Sequence, residues 1–126
     1  MAPKHRVLIV EDNPGTSALL IQIVRRAGYD SVLAEGGNEA LECLEAGRVD
    51  LILLDLMMRG MDGWTLLDII REDKRFQKLP VCIVSARHPR EDPDQVEAYA
   101  DKIQAYFVKP FELDQLVAKM KEILEA

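Results

Sequence analysis

Cysteines are scarce in this sequence. Only two, Cys43 and Cys82, occur among 126 residues. Each lies inside an apolar segment and far from any metal-ligand spacing, so neither metal binding nor redox chemistry is indicated. We expect both to act as small core residues in a reducing compartment. No apolar segment approaches membrane-spanning length, and residues 1–6 lead into an apolar stretch too short for a signal peptide. The expected location is the cytoplasm.

Basic residues are also outnumbered, since 16 Lys and Arg stand against 22 Asp and Glu, a net charge of −6. A surface that binds duplex DNA needs clustered Lys and Arg to replace counterions, and no such stripe occurs. We therefore expect no direct binding of nucleic acid. A Gly-rich loop followed by Lys-Ser or Lys-Thr is missing as well, so a P-loop nucleotide site is not supported. The length fits one domain over residues 1–126.

What the sequence does contain is a series of short runs rich in Val, Ile and Leu. Runs without polar alternation are typical of strands buried on both faces of a parallel sheet. Four are strong, and a weaker fifth is expected at an edge of the sheet. The strong runs are residues 7–10, 51–54, 81–84 and 106–108, and the weak one is 31–34.

Helical periodicity fills the intervals between these runs. Asn13 followed by Pro14 is typical of a helix cap and first turn, and the apolar stripe behind it ends at Gly28. A second helix is predicted after the second strand, and a third helix, which contains Trp64, after the third strand. A last helix is predicted over residues 113–124. Five strand–helix units with right-handed crossovers give a doubly wound α/β domain with helices on both faces of the sheet.

The fourth helix is less regular. Asp92, Pro93 and Gln95 resemble a capping box, and apolar residues follow at helical spacing as far as Ile103. Residues 87–93 contain two prolines, which forbid a regular helix there. We expect an irregular segment between the fourth strand and this helix.

The four strong strands all end in polar residues. Glu11 and Asp12 follow the first, Asp55 the third, Ser85 the fourth and Lys109 the fifth. Sites in open parallel sheets form beyond the carboxyl ends of the strands, so these side chains should converge. One polar strand end usually marks only where the chain meets solvent. Four with complementary chemistry indicate a site.

The chemistry of this set points to a metal and a phosphoryl group. Three crowded carboxylates repel each other unless a cation neutralises them. Hard oxygen ligands suit Mg²⁺, which commonly bridges to a phosphate. A lysine supplies a compact positive charge for phosphoryl oxygens, and a serine hydroxyl can donate a hydrogen bond to one of them. The phosphoryl group would be held covalently if a carboxylate is the nucleophile.

Taken in order, the motifs resemble the receiver domain of bacterial response regulators, and in particular chemotaxis regulators. They are VLIVEDN at 7–13, LLDLMM at 53–58, MDG at 61–63, VSA at 84–86 and VKPF at 108–111. The match runs from about His5 to the last residue. The resemblance implies a flavodoxin-like (βα)5 domain with strand order 2-1-3-4-5, acting as a phosphoacceptor switch of a two-component phosphorelay.

The resemblance also assigns roles to the strand-end residues. Asp55 would accept a phosphoryl group from a histidine kinase or a histidine phosphotransfer protein. Glu11, Asp12 and Asp55, together with the backbone carbonyl of Met57, would hold Mg²⁺. Lys109 would pair with the phosphoryl oxygens. The domain would be no turnover enzyme and would have at most slow autophosphatase activity.

The remaining roles concern the switch itself. Ser85 would bond the phosphoryl group and shift toward it, Tyr106 would turn inward, and the small Ala86 would leave the approach to Asp55 open. The peptide bond between Lys109 and the following proline is typically cis in this family. The surface of the fourth helix, fifth strand and fifth helix would then favour a downstream protein target, as a monomer or as a phosphorylation-dependent dimer.

Some positions depart from the family pattern. Arg59 stands where proline is common, and an arginine there would reach a neighbouring acidic side chain or the phosphoryl group, or stay solvated. The interval from Ser85 to Lys109 is slightly longer than is usual, and Arg87 occupies a position where the family tunes phosphate lifetime. The output of the switch is therefore the part that the resemblance predicts least.

Three alternative functions are compatible with parts of this pattern. A phosphatase of the haloacid dehalogenase type needs an Asp-x-Asp pattern after the first strand, which the residues at 11–13 do not supply. A pseudo-receiver that only binds partners is disfavoured by the intact acidic pair, Asp55, Ser85 and Lys109. A receiver excised from a multidomain regulator or a hybrid kinase stays open as an alternative for the output.

Overall fold

Five parallel strands form a single sheet in the computed structural model, which describes residues 4–125. They are β1 (Arg6–Val10), β2 (Asp30–Ala34), β3 (Leu51–Leu54), β4 (Val81–Ser85) and β5 (Ala105–Val108). Their order is β2-β1-β3-β4-β5, so the predicted doubly wound topology and the edge position of the weak strand are both confirmed. Residues 1–3 and 126 of the predicted domain lie outside the described residues.

The helices lie on both faces of this sheet. They are α1 (Pro14–Arg26), α2 (Gly37–Ala46), α3 (Gly63–Glu72), α4 (Pro93–Tyr99) and α5 (Leu113–Leu124), with short 3₁₀ turns at Lys74–Phe76 and Pro89–Glu91. The predicted cap is present, because Asn13 Oδ1 accepts the N–H of Thr16 at 3.0 Å. Gly28, just beyond α1, has a φ of 100°, a conformation that glycine adopts without steric cost.

Two apolar cores sandwich the sheet. Alternate residues of β1 point to opposite faces, with Leu8 in the core under α2 and α3 and Ile9 in the core under α1 and α5. β1, β3 and β4 are buried almost throughout, as their composition predicts. β5 is only half-buried, contrary to prediction, because it lies at the second edge of the sheet.

The segment between β4 and β5 differs from its prediction in two respects. The helix ends at Tyr99, so Ile103 lies beyond it. The predicted capping box at Asp92 is wrong, because among the described residues its side chain makes no capping hydrogen bond to α4. Its carboxylate instead accepts hydrogen bonds from Arg87 Nε at 2.6 Å and Nη2 at 2.9 Å. A capping box does occur four residues earlier, in the 3₁₀ turn, where Glu91 Oε2 accepts the N–H of His88 at 2.7 Å and His88 Nδ1 accepts the N–H of Arg90 at 3.1 Å.

Aromatic packing fixes α4 against α3. Trp64 is 7% exposed and its ring stacks on that of Tyr99, with centroids 4.9 Å apart. The Tyr99 hydroxyl donates to Asp68 Oδ1 at 2.6 Å. Cys82 is buried and Cys43 half-buried, both as free thiols, in agreement with their assignment to the core. Within residues 4–125, no helix is long and apolar enough to cross a membrane.

Candidate functional site

The three acidic residues of the predicted site follow two neighbouring strands, β1 and β3, inside the sheet. Glu11 and Asp12 come directly after β1, and Asp55 comes after β3. The N–H of Asp55 donates to the carbonyl of Val10 at 3.0 Å, which continues the β1–β3 ladder and brings the acids together. Glu11 is 1% exposed and Asp55 is 5% exposed, so both carboxylates lie inside a cleft and not on the rim.

Glu11, Asp12 and Asp55 form one cluster. Each contributes a carboxylate oxygen, and the three oxygens lie within 4.8 Å of one another. Negative charges this close are costly without a neutralising partner. Three oxygen ligands on one side of an open cleft suit a hard divalent cation such as Mg²⁺, which keeps several waters.

Lys109 supplies a positive charge from the end of β5. Its Nζ lies 2.6 Å from Glu11 Oε1 and 3.3 Å from Asp55 Oδ2. Burial nevertheless raises the pKa of Glu11; the hydrogen bond from Lys109 lowers it, and the neighbouring Asp55 raises it further. The Lys109–Pro110 peptide bond is cis, as the family resemblance implies.

Backbone N–H groups hold each carboxylate in place. Met57 donates to Asp55 Oδ1 at 3.1 Å, Arg59 to Asp12 Oδ2 at 3.1 Å, and Asn13 to Glu11 Oε2 at 3.2 Å. The backbone of Met57 therefore lies beside Asp55, and its carbonyl stays a predicted metal ligand. The Arg59 side chain is 94% exposed, with Nε 3.8 Å from Asp12 Oδ2, so it is both solvated and near an acid.

Gly63 has a role that the sequence pattern does not reveal. Its N–H donates to the carbonyl of Leu56 at 3.1 Å. A Cβ at this position would lie 2.6 Å from the carbonyl oxygen of Asp55 and 2.7 Å from Leu56 Cα. Only glycine therefore allows α3 to begin against the backbone of the acceptor. The MDG motif contains this signal, but only coordinates reveal how close the approach is.

Ser85 and Tyr106 lie beside this cluster on the last two strands. Ser85 is fully buried, and its carbonyl accepts the N–H of Lys109 at 2.8 Å. The half-buried Tyr106 donates its hydroxyl to the carbonyl of Arg87 at 2.5 Å. Its pKa is raised to about 12, first by burial and then by the charge of Asp92. The inward turn of Tyr106 and the shift of Ser85 stay predictions.

Arg87 is the second residue that sequence reasoning left without a defined role. Its backbone N–H donates to Ser85 Oγ at 3.2 Å, and its guanidinium forms the bidentate pair with Asp92. Hydrogen bonds and charge from Asp92 raise the pKa of Arg87 above its ordinary value. An Arg and an Asp five residues apart in a Pro-containing loop give no periodic signal that would predict this pair.

The comparisons with known proteins agree with this geometry. Residues 7–121 match the family described as the response regulator receiver domain. The chain is 39% identical over 119 residues to the transcriptional regulatory protein BaeR of Escherichia coli O6:H1, covering 94% of this chain and 48% of that protein. The chain thus spans about half the length of the curated relatives it matches.

Two solved structures show the same architecture. A response regulator receiver protein from Pseudomonas putida superposes with a TM-score of 0.86 at 28% identity, over 97% of this chain and 99% of that one. The receiver domain of the sensor histidine kinase PA1611 from Pseudomonas aeruginosa PAO1 has a TM-score of 0.86 at 25% identity, over 99% and 100% of the two chains. That structure has a magnesium ion coordinated in its active site cleft.

Proposed function

The chain belongs to the response regulator receiver domain family, and on this premise we propose that Asp55 accepts a phosphoryl group from the phosphohistidine of a histidine kinase or a histidine phosphotransfer protein. The family consists of signalling domains of two-component systems, and is not a family of turnover enzymes. Phosphorylation of Asp55 would therefore act as a switch.

The observation that carries the proposal is the contact of Lys109 Nζ with Asp55 Oδ2 at 3.3 Å, in the cleft that holds three carboxylates. In the transfer, a carboxylate oxygen of Asp55 forms a bond to phosphorus while the P–N bond of the donor breaks. The bonding electron pair leaves with the imidazole nitrogen. Lys109 would neutralise the phosphoryl oxygens, and Ser85 would donate a hydrogen bond to one of them.

The donor set fits Mg²⁺, since Glu11, Asp12 and Asp55 offer carboxylate oxygens within 4.8 Å of one another. The carbonyl of Met57 would complete the protein ligands. A bound Mg²⁺ would neutralise charge on the phosphoryl oxygens. Hydrolysis of the acyl phosphate by water would return Asp55 and free phosphate, and we expect this self-dephosphorylation to be slow.

The output would pass through the surface of α4, β5 and α5. Phosphorylation would change the preference of this surface for a downstream protein target, and it would also allow a phosphorylation-dependent dimer. Residues 1–126 would act as one receiver unit in the cytoplasm, where two free thiols such as Cys43 and Cys82 stay reduced.

Intact-mass measurement tests the proposal directly. The protein is incubated with Mg²⁺ and acetyl phosphate, and we expect one phosphoryl adduct that is lost in Asp55→Asn and in EDTA. Asp50→Asn is the matched control, because Asp50 lies at the opposite end of β3 and its carboxylate accepts the N–H of Arg6 at 2.8 Å. An unmodified wild-type protein, or an adduct that survives in Asp55→Asn, would rule out this assignment.

A further inference from the structure

Arg87 contacts three parts of the predicted switch at once. Its N–H donates to Ser85 Oγ at 3.2 Å, and its carbonyl accepts the hydroxyl of Tyr106 at 2.5 Å. Its guanidinium bonds Asp92, the residue that precedes α4, through Nε at 2.6 Å and Nη2 at 2.9 Å. Ser85 and Tyr106, the two residues that would respond to a phosphoryl group, are thus both bonded to the backbone of Arg87. The Arg87 side chain is bonded to the residue before α4.

The loop that contains Arg87 is held by hydrogen bonds between its own residues. Within it, the N–H of His88 donates to Glu91 Oε2 at 2.7 Å, and the N–H of Asp92 donates to the carbonyl of Pro89 at 3.1 Å. The Asp92 side chain is 17% exposed and that of Arg87 39% exposed, so the pair is partly shielded from solvent. Bidentate geometry makes such a pair more directional than a single-point contact.

This arrangement prepares Ser85 as a donor. A serine hydroxyl has one hydrogen and two lone pairs. When the oxygen accepts the N–H of Arg87, the hydroxyl hydrogen stays available for a phosphoryl oxygen. The bond from Tyr106 to the Arg87 carbonyl fixes the same backbone from its other side. Movement of Arg87 would therefore disturb both responding residues together.

We propose that Arg87 is a positioning residue whose ion pair with Asp92 holds Ser85 and Tyr106 in the arrangement that receives a phosphoryl group on Asp55. This inference rests on the proposed function. Because the ion pair restrains the backbone that leaves the Ser85 hydroxyl hydrogen free, its loss weakens binding of a phosphoryl group without weakening the metal site.

The test measures two affinities in the full chain. The first is for Mg²⁺ alone, and the second is for beryllofluoride, a mimic of the phosphoryl group, at saturating Mg²⁺. We expect Arg87→Ala and Asp92→Asn each to lower the beryllofluoride affinity about two- to fivefold, the range of a partly exposed ion pair, with an unchanged Mg²⁺ affinity. The double variant Arg87→Asp/Asp92→Arg should recover part of the loss.

The matched control is Arg75→Ala. Arg75 precedes β4, at the end of the sheet opposite Ser85. Its guanidinium forms a bidentate ion pair with Glu45, through Nη2 at 2.5 Å and Nη1 at 3.1 Å, and also contacts Asp73. We expect this variant to bind beryllofluoride like the wild type. A merely structural role for Arg87 would lower both affinities of Arg87→Ala together. Asp92→Asn removes the charge of Asp92 but keeps the shape of its side chain, which guards against a folding defect.

The experiments distinguish the phosphorylation of Asp55 from the positioning role of Arg87. A wild-type protein that forms no adduct with acetyl phosphate would refute the proposed function itself. If the wild type is modified but Arg87→Ala and Asp92→Asn bind beryllofluoride as tightly as it does, or more tightly, the role of Arg87 is overturned while the function of Asp55 stands.

Discussion

Lys109 donates from Nζ to Glu11 Oε1 at 2.6 Å, a shorter contact than its 3.3 Å approach to Asp55. Glu11 is 1% exposed, so the lysine compensates a carboxylate that water hardly reaches. The same amine therefore stabilises the fold and faces the proposed acceptor. Because both duties depend on one group, stability and phosphorylation should respond together when it is removed.

Lys109→Ala should destabilise the protein in the absence of metal. Without the amine, Glu11 and Asp55 face each other in a poorly solvated cleft, and removing one partner of such a pair costs about 3–5 kcal/mol. Added Mg²⁺ should restore about 1.4 kcal/mol at ten times its Kd, if it binds only the folded state. Urea denaturation with and without Mg²⁺ measures both effects.

The control for this variant is Lys119→Ala, which removes a lysine of α5 that is paired with Glu122 at 3.3 Å. Its loss should cost less than about 0.5 kcal/mol and should not respond to Mg²⁺. Equal stability of Lys109→Ala and the wild type at neutral pH would contradict the assigned contact.

Asp12→Asn should change stability and metal binding in opposite directions. The variant removes one of three repelling charges, while an amide oxygen can still accept the N–H of Arg59. Without metal we expect a gain of about 0.5–1 kcal/mol in the free energy of unfolding, within the range of substitutions that improve the arrangement of charges. The Mg²⁺ affinity should fall at least about tenfold, because a ligand is lost.

Thermal unfolding measures the stability of Asp12→Asn, and titration measures its Mg²⁺ affinity. Asp94→Asn is the control. Asp94 is an exposed acid in the first turn of α4, so its amide variant should leave the Mg²⁺ affinity unchanged. An Asp12→Asn protein that binds Mg²⁺ normally would remove Asp12 from the metal site.

The parts of this site that the sequence predicts are those with local signals. Val, Ile and Leu runs mark the strands, and the polar residue at each strand end is then fixed in space by the parallel topology. The sequence therefore predicts that Glu11, Asp12, Asp55 and Lys109 lie close together. The β5 strand was recognised from its residues, but its half-burial depends on which strand stands at the edge.

The parts that escaped prediction depend on side chains that meet across a loop. The spacing from Asp92 to Gln95 predicts a helix cap, whereas in the structure Arg87 binds the same carboxylate through a stronger, charge-assisted contact. Gly63 is visible in the sequence, yet its contact with the backbone of Asp55 depends on the path of the chain between β3 and α3. Neither the Arg87–Asp92 pair nor the contact of Gly63 produces a periodic pattern in the sequence.

Cys82 should be protected from thiol reagents in the folded protein. Its side chain is fully buried, and burial raises its pKa to about 12, so the reactive thiolate is scarce at neutral pH. Cys43 is half-buried, and its pKa is also raised, first by burial and then by the charge of Glu39. We expect labelling at pH 8 to modify Cys43 first and Cys82 only in denaturant. Fast labelling of a Cys43→Ser variant under native conditions would contradict the position of Cys82 in the core.

Gly63→Ala should disturb both the fold and the acceptor. The added Cβ would lie 2.6 Å from the carbonyl oxygen of Asp55 and 2.7 Å from Leu56 Cα, and a backbone cannot yield as a flexible side chain can. Either α3 must move or the acceptor loop must, at a cost of about 1–3 kcal/mol. Since Asp55 belongs to that loop, its phosphorylation by acetyl phosphate should also become slower.

Gly15→Ala separates this steric effect from the general effect of replacing a glycine in a helix. Gly15 is exposed in the first turn of α1, and a Cβ there would approach only Asn13 Oδ1, at 3.4 Å. Because alanine is the better helix former, this variant should be neutral or more stable by up to about 1 kcal/mol and should be phosphorylated at the wild-type rate. Equal stabilities of Gly63→Ala and Gly15→Ala in urea would show that α3 has room to begin elsewhere. The tight contact with Asp55 would then have no part in holding the acceptor.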